Sequence, residues 1–244
     1  MLGNTILSFG ALLAATATAQ TAPGFPIQAS AQLSVAYGNN TVSPPGERIP
    51  RGETAQLPNI STPVWSSGTS GPQQGVLLVV DLDVPRNNTR VQLLHWLATN
   101  VTLAGTNQGP LNIPNAPVPY LQPSPPVGDV PHSYTFVLFA QPANFSIPAQ
   151  YSNLTANRVF FNTSQFVKDT GLGPALAANY ITVQNLTGTA TATFPPGRPT
   201  ATGGTNGSTP IPFPGAASSL EVGGKAIWAG LATAVLAGVA AFAL

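Results

Sequence analysis

The chain contains no cysteine. That excludes a disulfide framework, a thiolate nucleophile and any cysteine-ligated metal. It does not fix the compartment, because oxidising compartments permit disulfides without requiring them. Charge is almost as scarce: 6% of the 244 residues are Asp, Glu, Lys or Arg, where about 25% is usual. The net charge is +1, so no broad basic face exists to attract nucleic acid. There are two histidines and seven acidic residues, so any ionic or acid–base chemistry must come from a short list. The sequence has no G-x-S-x-G, Walker or H-E-x-x-H motif and no activated nucleophile, which points to a non-enzyme. No internal repeat of solenoid length is present.

The two ends are apolar. Ile6 to Ala15 has the length of a signal-peptide core, and Ala17-Thr18-Ala19 supplies an A-x-A cleavage pattern before Gln20. Residues 1–19 therefore read as a secretory signal peptide. A second apolar run, Ala226 to Leu244, reaches the last residue with no Lys or Arg after it, unlike an ordinary spanning helix. Before it stand the small triplet Gly215-Ala216-Ala217 and a polar spacer, Ser218 to Lys225. Triplet, spacer and tail match a GPI-attachment signal over 215–244, with Gly215 as the expected anchor residue and the hydrophobic tail removed. Residues 189–214 are Ser/Thr/Pro/Gly-rich and read as a flexible stalk, too poor in large aliphatics to offset the entropy of ordering. A folded domain remains over 20–188.

N-glycosylation sequons begin at Asn39, Asn59, Asn87, Asn100, Asn144, Asn153, Asn162, Asn185 and Asn206. In a secreted chain they imply a glycan coat, which supplies the solubility that charge usually provides. Asn100, behind the hydrophobic HWLAT stretch, is the one expected to be too buried for use. The expected location is the outer face of the plasma membrane or the cell wall.

Within the domain, strand patterns dominate. Leu33, Val35 and Tyr37 alternate, and Val76 to Val80 is a continuous apolar run, the mark of a strand covered on both faces. Val91 to Val101 and Tyr134 to Ala140 are the next strands, separated by a proline-dense loop that excludes helix. One helix is expected, capped by Asn162 and stopped at Gly171.

The apolar run ends on Asp81 and Asp83, which alternate onto one face, as do His132 and Tyr134. The other histidine is His95. Each interrupts an apolar strand, where a buried imidazole or carboxylate is costly unless paired. The economical arrangement is a cluster: Asp81 or Asp83 accepts from one histidine ring, and the other ring nitrogen faces a pocket. The bland alternative is a satisfied internal network. Asp81, His95 and His132 could also hold zinc.

The segments VLLVVDLDVP, LLHWLATNV, YLQPSPPVG and HSYTFVLFAQP resemble, in order and spacing, the phosphatidylethanolamine-binding proteins (PEBPs), whose motifs run D-P-D-x-P, H-W/F-L, G-x-G-P-P-x-G and H-R-Y. FVKDTGLGPALAANYITVQ is similar to that family's helix and final strand. The resemblance covers about residues 31–184 and implies a mostly-β fold, with a large central sheet flanked by a smaller sheet and short helices. Taken with the two ends, it describes a secreted, GPI-anchored, fungal-type member. It also implies a small anion pocket for phosphate or phospholipid headgroups, lined by Asp81, His95, His132 and Tyr134 and rimmed by Pro125 and Pro126. Asp83 and Pro85 would fix the loop after the strand. No cofactor or metal is implied. Some relatives act on protein partners, so the alternative is a protease-inhibitor or protein-interaction module with a vestigial pocket.

Four positions depart from the family pattern. Leu82 replaces the first proline, Gln122 and Ser124 replace rim glycines, and Ser133 replaces the arginine of H-R-Y. Losing glycines changes close backbone approach to a ligand, and losing the arginine removes a cation. If a protonated histidine holds the anion, binding strengthens as pH falls.

Overall fold

The structure is a computed structural model and describes residues 20–65, 74–105 and 108–199, with the backbone of 221–222 and 225–226. Its strands are β1 (Ala29–Gln32), β2 (Ser34–Tyr37), β3 (Asn40–Thr41), β4 (Asn59–Thr62), β5 (Gly75–Arg86), β6 (Thr89–Leu103), β7 (Gly109–Asn112), β8 (Asn115–Val118), β9 (His132–Ala140) and β10 (Ala175–Val183). The helix α1 spans Thr163–Asp169, and single 3-10 turns occupy Arg51–Ala55 and Ala149–Tyr151. A separate hairpin, β11 (Glu221–Val222) with β12 (Lys225–Ala226), belongs to a second unit, Thr202–Leu244. The signal-peptide expectation over 1–19, Asn206 and the anchor residue Gly215 lie outside the described residues.

The strand path runs β1-β10-β9-β5-β6-β7-β4-β2-β3, with β8 added on β6. All pairings are antiparallel except β1 on β10. β5 sits between β9 and β6, and Val76 to Val80 are fully buried. The period-2 geometry of a strand sends its side chains alternately into two cores. Leu77 and Val79 pack with Trp96, Phe136 and the small-sheet residues Val35 and Ile60. Val76, Leu78 and Val80 pack with Phe139, Phe161 and Phe166, under α1. The continuous apolar run expected for a doubly covered strand is thus explained by a layer on each side.

α1 forms where expected. The Asn162 Oδ1 accepts from the Gln165 backbone N–H at 3.0 Å, satisfying one free donor of the first turn. Gly171, at φ +66°, closes the end. The proline-dense loop, where the sequence excludes helix, contains the short strands β7 and β8. Both are short marginal pairings, where a proline removes no needed ladder bond. Among the described residues no helix is long and apolar enough to cross a membrane.

Residues 189–199 differ from the stalk reading. Arg90 donates to the carbonyls of Pro195 and Pro196, and Arg198 is paired with Asp83. Ala190 occupies the space beside Gly128 that a Cβ would fill. Composition suggested a solvated tether; specific polar contacts hold these residues on the domain.

Phe166 is fully buried, edge-on to Tyr151 and 5.4 Å from Phe161. Phe166→Ala is expected to cost about 3–5 kcal/mol, read as a lower urea midpoint at unchanged slope.

Candidate functional site

The sequence brings its scarce polar groups to the end of β5. Register pairs Asp81 with Tyr134 of β9 on one side and with Leu93 of β6 on the other. The β5–β6 pairing slips by one residue between Val79↔Trp96 and Val80↔Leu94. His95 is the extra residue of that bulge, a feature that re-aims a side chain. Its ring stands edge-on to Tyr134, with centroids 4.9 Å apart at 87°. A second slip, between Asp81 and Val84, carries Leu82 and Asp83 around the strand end.

His132 is buried and bonded at both nitrogens: Nδ1 to Asp81 Oδ2 at 2.8 Å and Nε2 to Asp129 Oδ2 at 3.0 Å. Two carboxylates can only accept, so both nitrogens carry protons and the ring is an imidazolium. Burial pulls its pKa down, but the bond to Asp81, that residue's charge and the bond to Asp129 outweigh it, and the net shift is upward. Asp129 is in turn held by a bidentate Arg90, with both N–O distances 2.7 Å. Burial pushes the Asp129 carboxyl up, yet its bonds to Arg90 and His132 bring it below its ordinary value.

Asp81 also caps the chain turn, its Oδ1 accepting from the Asp83 N–H at 2.7 Å. Asp83 accepts from the Ser133 N–H at 2.7 Å and from Arg198 Nε at 2.8 Å. Asp83 therefore ties the β5 bulge to β9 and to Arg198; β5 continues past it to Arg86, so Asp83 and Pro85 lie within the strand rather than in the loop after it that the resemblance implied. The cluster balances three carboxylates (Asp81, Asp83, Asp129) with three cations (Arg90, Arg198, His132).

His95 is the opposite case. It exchanges bonds with Leu121: the Leu121 N–H donates to the His95 carbonyl at 2.9 Å, and Nδ1 lies 2.8 Å from the Leu121 carbonyl. A carbonyl accepts only, so Nδ1 carries the proton and Nε2 presents a lone pair in the neutral ring. Burial lowers the His95 pKa despite the upward pull of Asp81. Nε2 sits 3.9 Å from Asp81 Oδ2, too far for a hydrogen bond. The Tyr134 hydroxyl is buried and makes no hydrogen bond of ordinary geometry among the described residues. Burial, then the charge of Asp81, pushes its pKa far above the usual phenol range, so it stays protonated.

Over this floor lies a cavity of about 380 Å³. Asp81, Pro85, His95, Gln122, Ser124, Pro125, Pro126, His132 and Tyr134 all line it; Asp83 does not. The expectation that the second nitrogen of a paired histidine faces the pocket holds for neither ring as stated. His132, the paired one, spends its second nitrogen on Asp129, and His95 presents its nitrogen without a close carboxylate. The zinc alternative meets the same obstacle, since His132 has no free nitrogen.

The sequence reading missed Asp129, Arg90, Arg198, Leu121 and Arg86. Asp129 stands three residues before His132 in a chain with seven acids, a usable signal. Buried carboxylates require cations, so arginine partners could have been sought. Arg86 lines the cavity and, among the described residues, hydrogen-bonds the Pro85 carbonyl alone. Arg51 donates to Ser124 Oγ at 3.2 Å, and its carbonyl accepts from Gln122. The two side chains that replace rim glycines thus both bond Arg51, Ser124 through its guanidinium and Gln122 through its backbone carbonyl.

This is a mostly-β protein with a curled sheet and a buried Asp–His–Tyr pocket. The family model described as phosphatidylethanolamine-binding protein matches residues 39–191, and the chain belongs to that family. It is 32% identical over 193 residues to phomoidride biosynthesis cluster protein N of Talaromyces stipitatus, covering 70% of this chain and 94% of that protein. Among solved structures, carboxypeptidase Y inhibitor complexed with its cognate proteinase is similar at TM-score 0.53 and 20% identity, over 65% of this chain and 85% of that one. The phosphatidylethanolamine-binding protein of Plasmodium vivax is similar at TM-score 0.47 and 15% identity, over 66% and 88%. These structural likenesses concern the fold.

With two histidines in the chain, an NMR titration gives two assignable ring signals. The His132 signal is expected to stay protonated above the ordinary histidine value of about 6.5, and the His95 signal to stay neutral below it. By linkage, the stability His132 contributes is full below about 6.5 and is lost as pH rises through its raised value. That of His95 is full above about 6.5 and is lost as pH falls through its lowered value. Titration in the reverse order would remove the proposed roles of the two rings.

Proposed function

We propose that this chain is a non-catalytic binding protein of the cell surface whose cavity takes a small phosphate-like anion or a phospholipid headgroup. The observation that carries this reading is the charge arrangement. The floor is balanced, so Asp81 does not present a net charge that repels an anion. Arg86, in the cavity lining, and Arg51, bonded to the lining residue Ser124, make no ion pair among the described residues. Inside, the Tyr134 hydroxyl lies beside Asp81 without a hydrogen bond of ordinary geometry and lines the cavity, and His95 Nε2 becomes a donor on protonation. A charge-assisted bond from an imidazolium to a phosphate oxygen is stronger than a neutral one.

The surface role rests on the sequence signals at the two ends and on the sequons. Asn39, Asn59, Asn87, Asn144, Asn153 and Asn162 are exposed, as glycan acceptors must be. Asn185 is half-buried, and so is Asn100, whose backbone N–H and side-chain carbonyl are both held by Gln141. Deglycosylation of the secreted protein should collapse a diffuse gel band, with Asn100 unmodified.

A second reading is protease inhibition, suggested by the fold shared with carboxypeptidase Y inhibitor. It would use surface loops and termini. The two readings separate in one calorimetric experiment with inorganic phosphate and phosphoethanolamine, from pH 8 to pH 5. Affinity is expected to rise as pH falls through the lowered His95 value, because protonation of His95 adds a donor. Arg86→Gln is expected to weaken binding about tenfold, and His95→Ala to abolish the pH dependence. Equal binding by His95→Ala and wild type would move the function off the cavity, whereas inhibition of a protease would survive both changes.

A further inference from the structure

The segment following β10 has the composition of a tether, but its residues meet the site. We infer that residues 189–199 form a clasp that completes the pocket floor, with Arg198 as a positioning residue for Asp83 and, through it, for His132.

Arg198 Nε donates to Asp83 Oδ1 at 2.8 Å, Nη2 lies 3.4 Å from Oδ2, and Nη1 donates to the Pro23 carbonyl at 2.6 Å. The seat is shaped for it: Gly24 has φ +77°, and a Cβ there would stand 2.8 Å from Arg198 Nη1. Asp83 Oδ2 accepts from the N–H of Ser133, the residue next to His132. On the other arm, Arg90 gripping Asp129 is itself held by the Pro195 and Pro196 carbonyls. Two glycines make room for the clasp, since Ala190 fills the place of a Cβ at Gly128, φ +84°. Gly128 directly precedes Asp129. The Asp129 arm that bonds the His132 ring and the Asp83 arm that bonds the backbone beside it therefore both end on the same eleven-residue segment.

The clasp supplies charge as well as position. Without Arg198, three buried carboxylates face two cations, and the floor beneath the pocket carries a net negative charge. The groups facing His132 are Asp81, Asp129 and, by its charge, Asp83. Losing the cation on Asp83 strengthens the field that favours the imidazolium and repels an anion in the cavity.

The test uses the secreted full-length chain. In Arg198→Gln the His132 titration is expected to move upward, and affinity for inorganic phosphate to fall about tenfold. Arg198→Lys, which keeps the charge, should recover most of both. Thermal melting checks that each variant is folded. In the wild type, the Arg198 Nε–H signal should be visible and protected from solvent exchange, a measurement that needs no variant. A folded Arg198→Gln with unchanged His132 titration, a Lys variant no better than Gln, or a rapidly exchanging Nε–H would overturn the clasp. The phosphate arm rests on the binding role proposed above. If wild type binds no phosphate, that role fails, while the two NMR measurements still decide the clasp.

Discussion

The structure of the site depends on one buried cation, the His132 imidazolium between Asp81 and Asp129. An imidazolium is tolerated in the interior only when its charge is met and both N–H groups are bonded. Each carboxylate that meets it needs stabilisation in turn, and Arg90 supplies it for Asp129. Asp83, drawn in by the turn that Asp81 caps, needs Arg198. Charges therefore alternate outward from the ring until they reach the segment after β10. Such a network is all or nothing: removing one member leaves a buried charge uncompensated, at about 3–5 kcal/mol. Three of the seven acidic residues are committed to it, which gives a physical reason for where a charge-poor sequence places its charges.

The same constraint divides the work between the histidines. His132 is saturated and acts as a fixed cation within the wall of the cavity. His95 is fixed at one nitrogen only, by a carbonyl across the bulge, and keeps an unpartnered lone pair toward the cavity. If both rings were paired alike, neither could change its hydrogen-bonding role in the pocket as pH falls. Because burial lowers one and carboxylates raise the other, protonation changes the pocket without disturbing the network that shapes it.

Much of the architecture is legible in the sequence because it rests on local pattern. The run Val76 to Val80 specifies a strand covered on both faces, and Asn162 with Gly171 brackets the helix. The pocket residues are legible because polar groups at the ends of apolar strands need partners. What is not legible is which partner each finds. That depends on bulges at His95 and Asp83, which alter the facing of side chains by a one-residue slip. The tail misleads for a different reason. Composition measures how much apolar surface a segment can bury, and residues 189–199 are held mainly by one guanidinium and two carbonyls.

The departures from the family motifs make sense together. With Ser133 in place of the usual arginine, no cation stands at that position of β9. Gln122 and Ser124 in place of glycines give the rim side chains that both engage Arg51. Arg86 adds a second cation after Pro85. A charge absent from the strand is thus present in the cavity lining at Arg86. A cation beside the floor would add a fourth positive group to a network already balanced three against three. Serine at 133 keeps that balance, and its backbone N–H still serves Asp83. The altered rim and the altered strand are therefore one electrostatic solution.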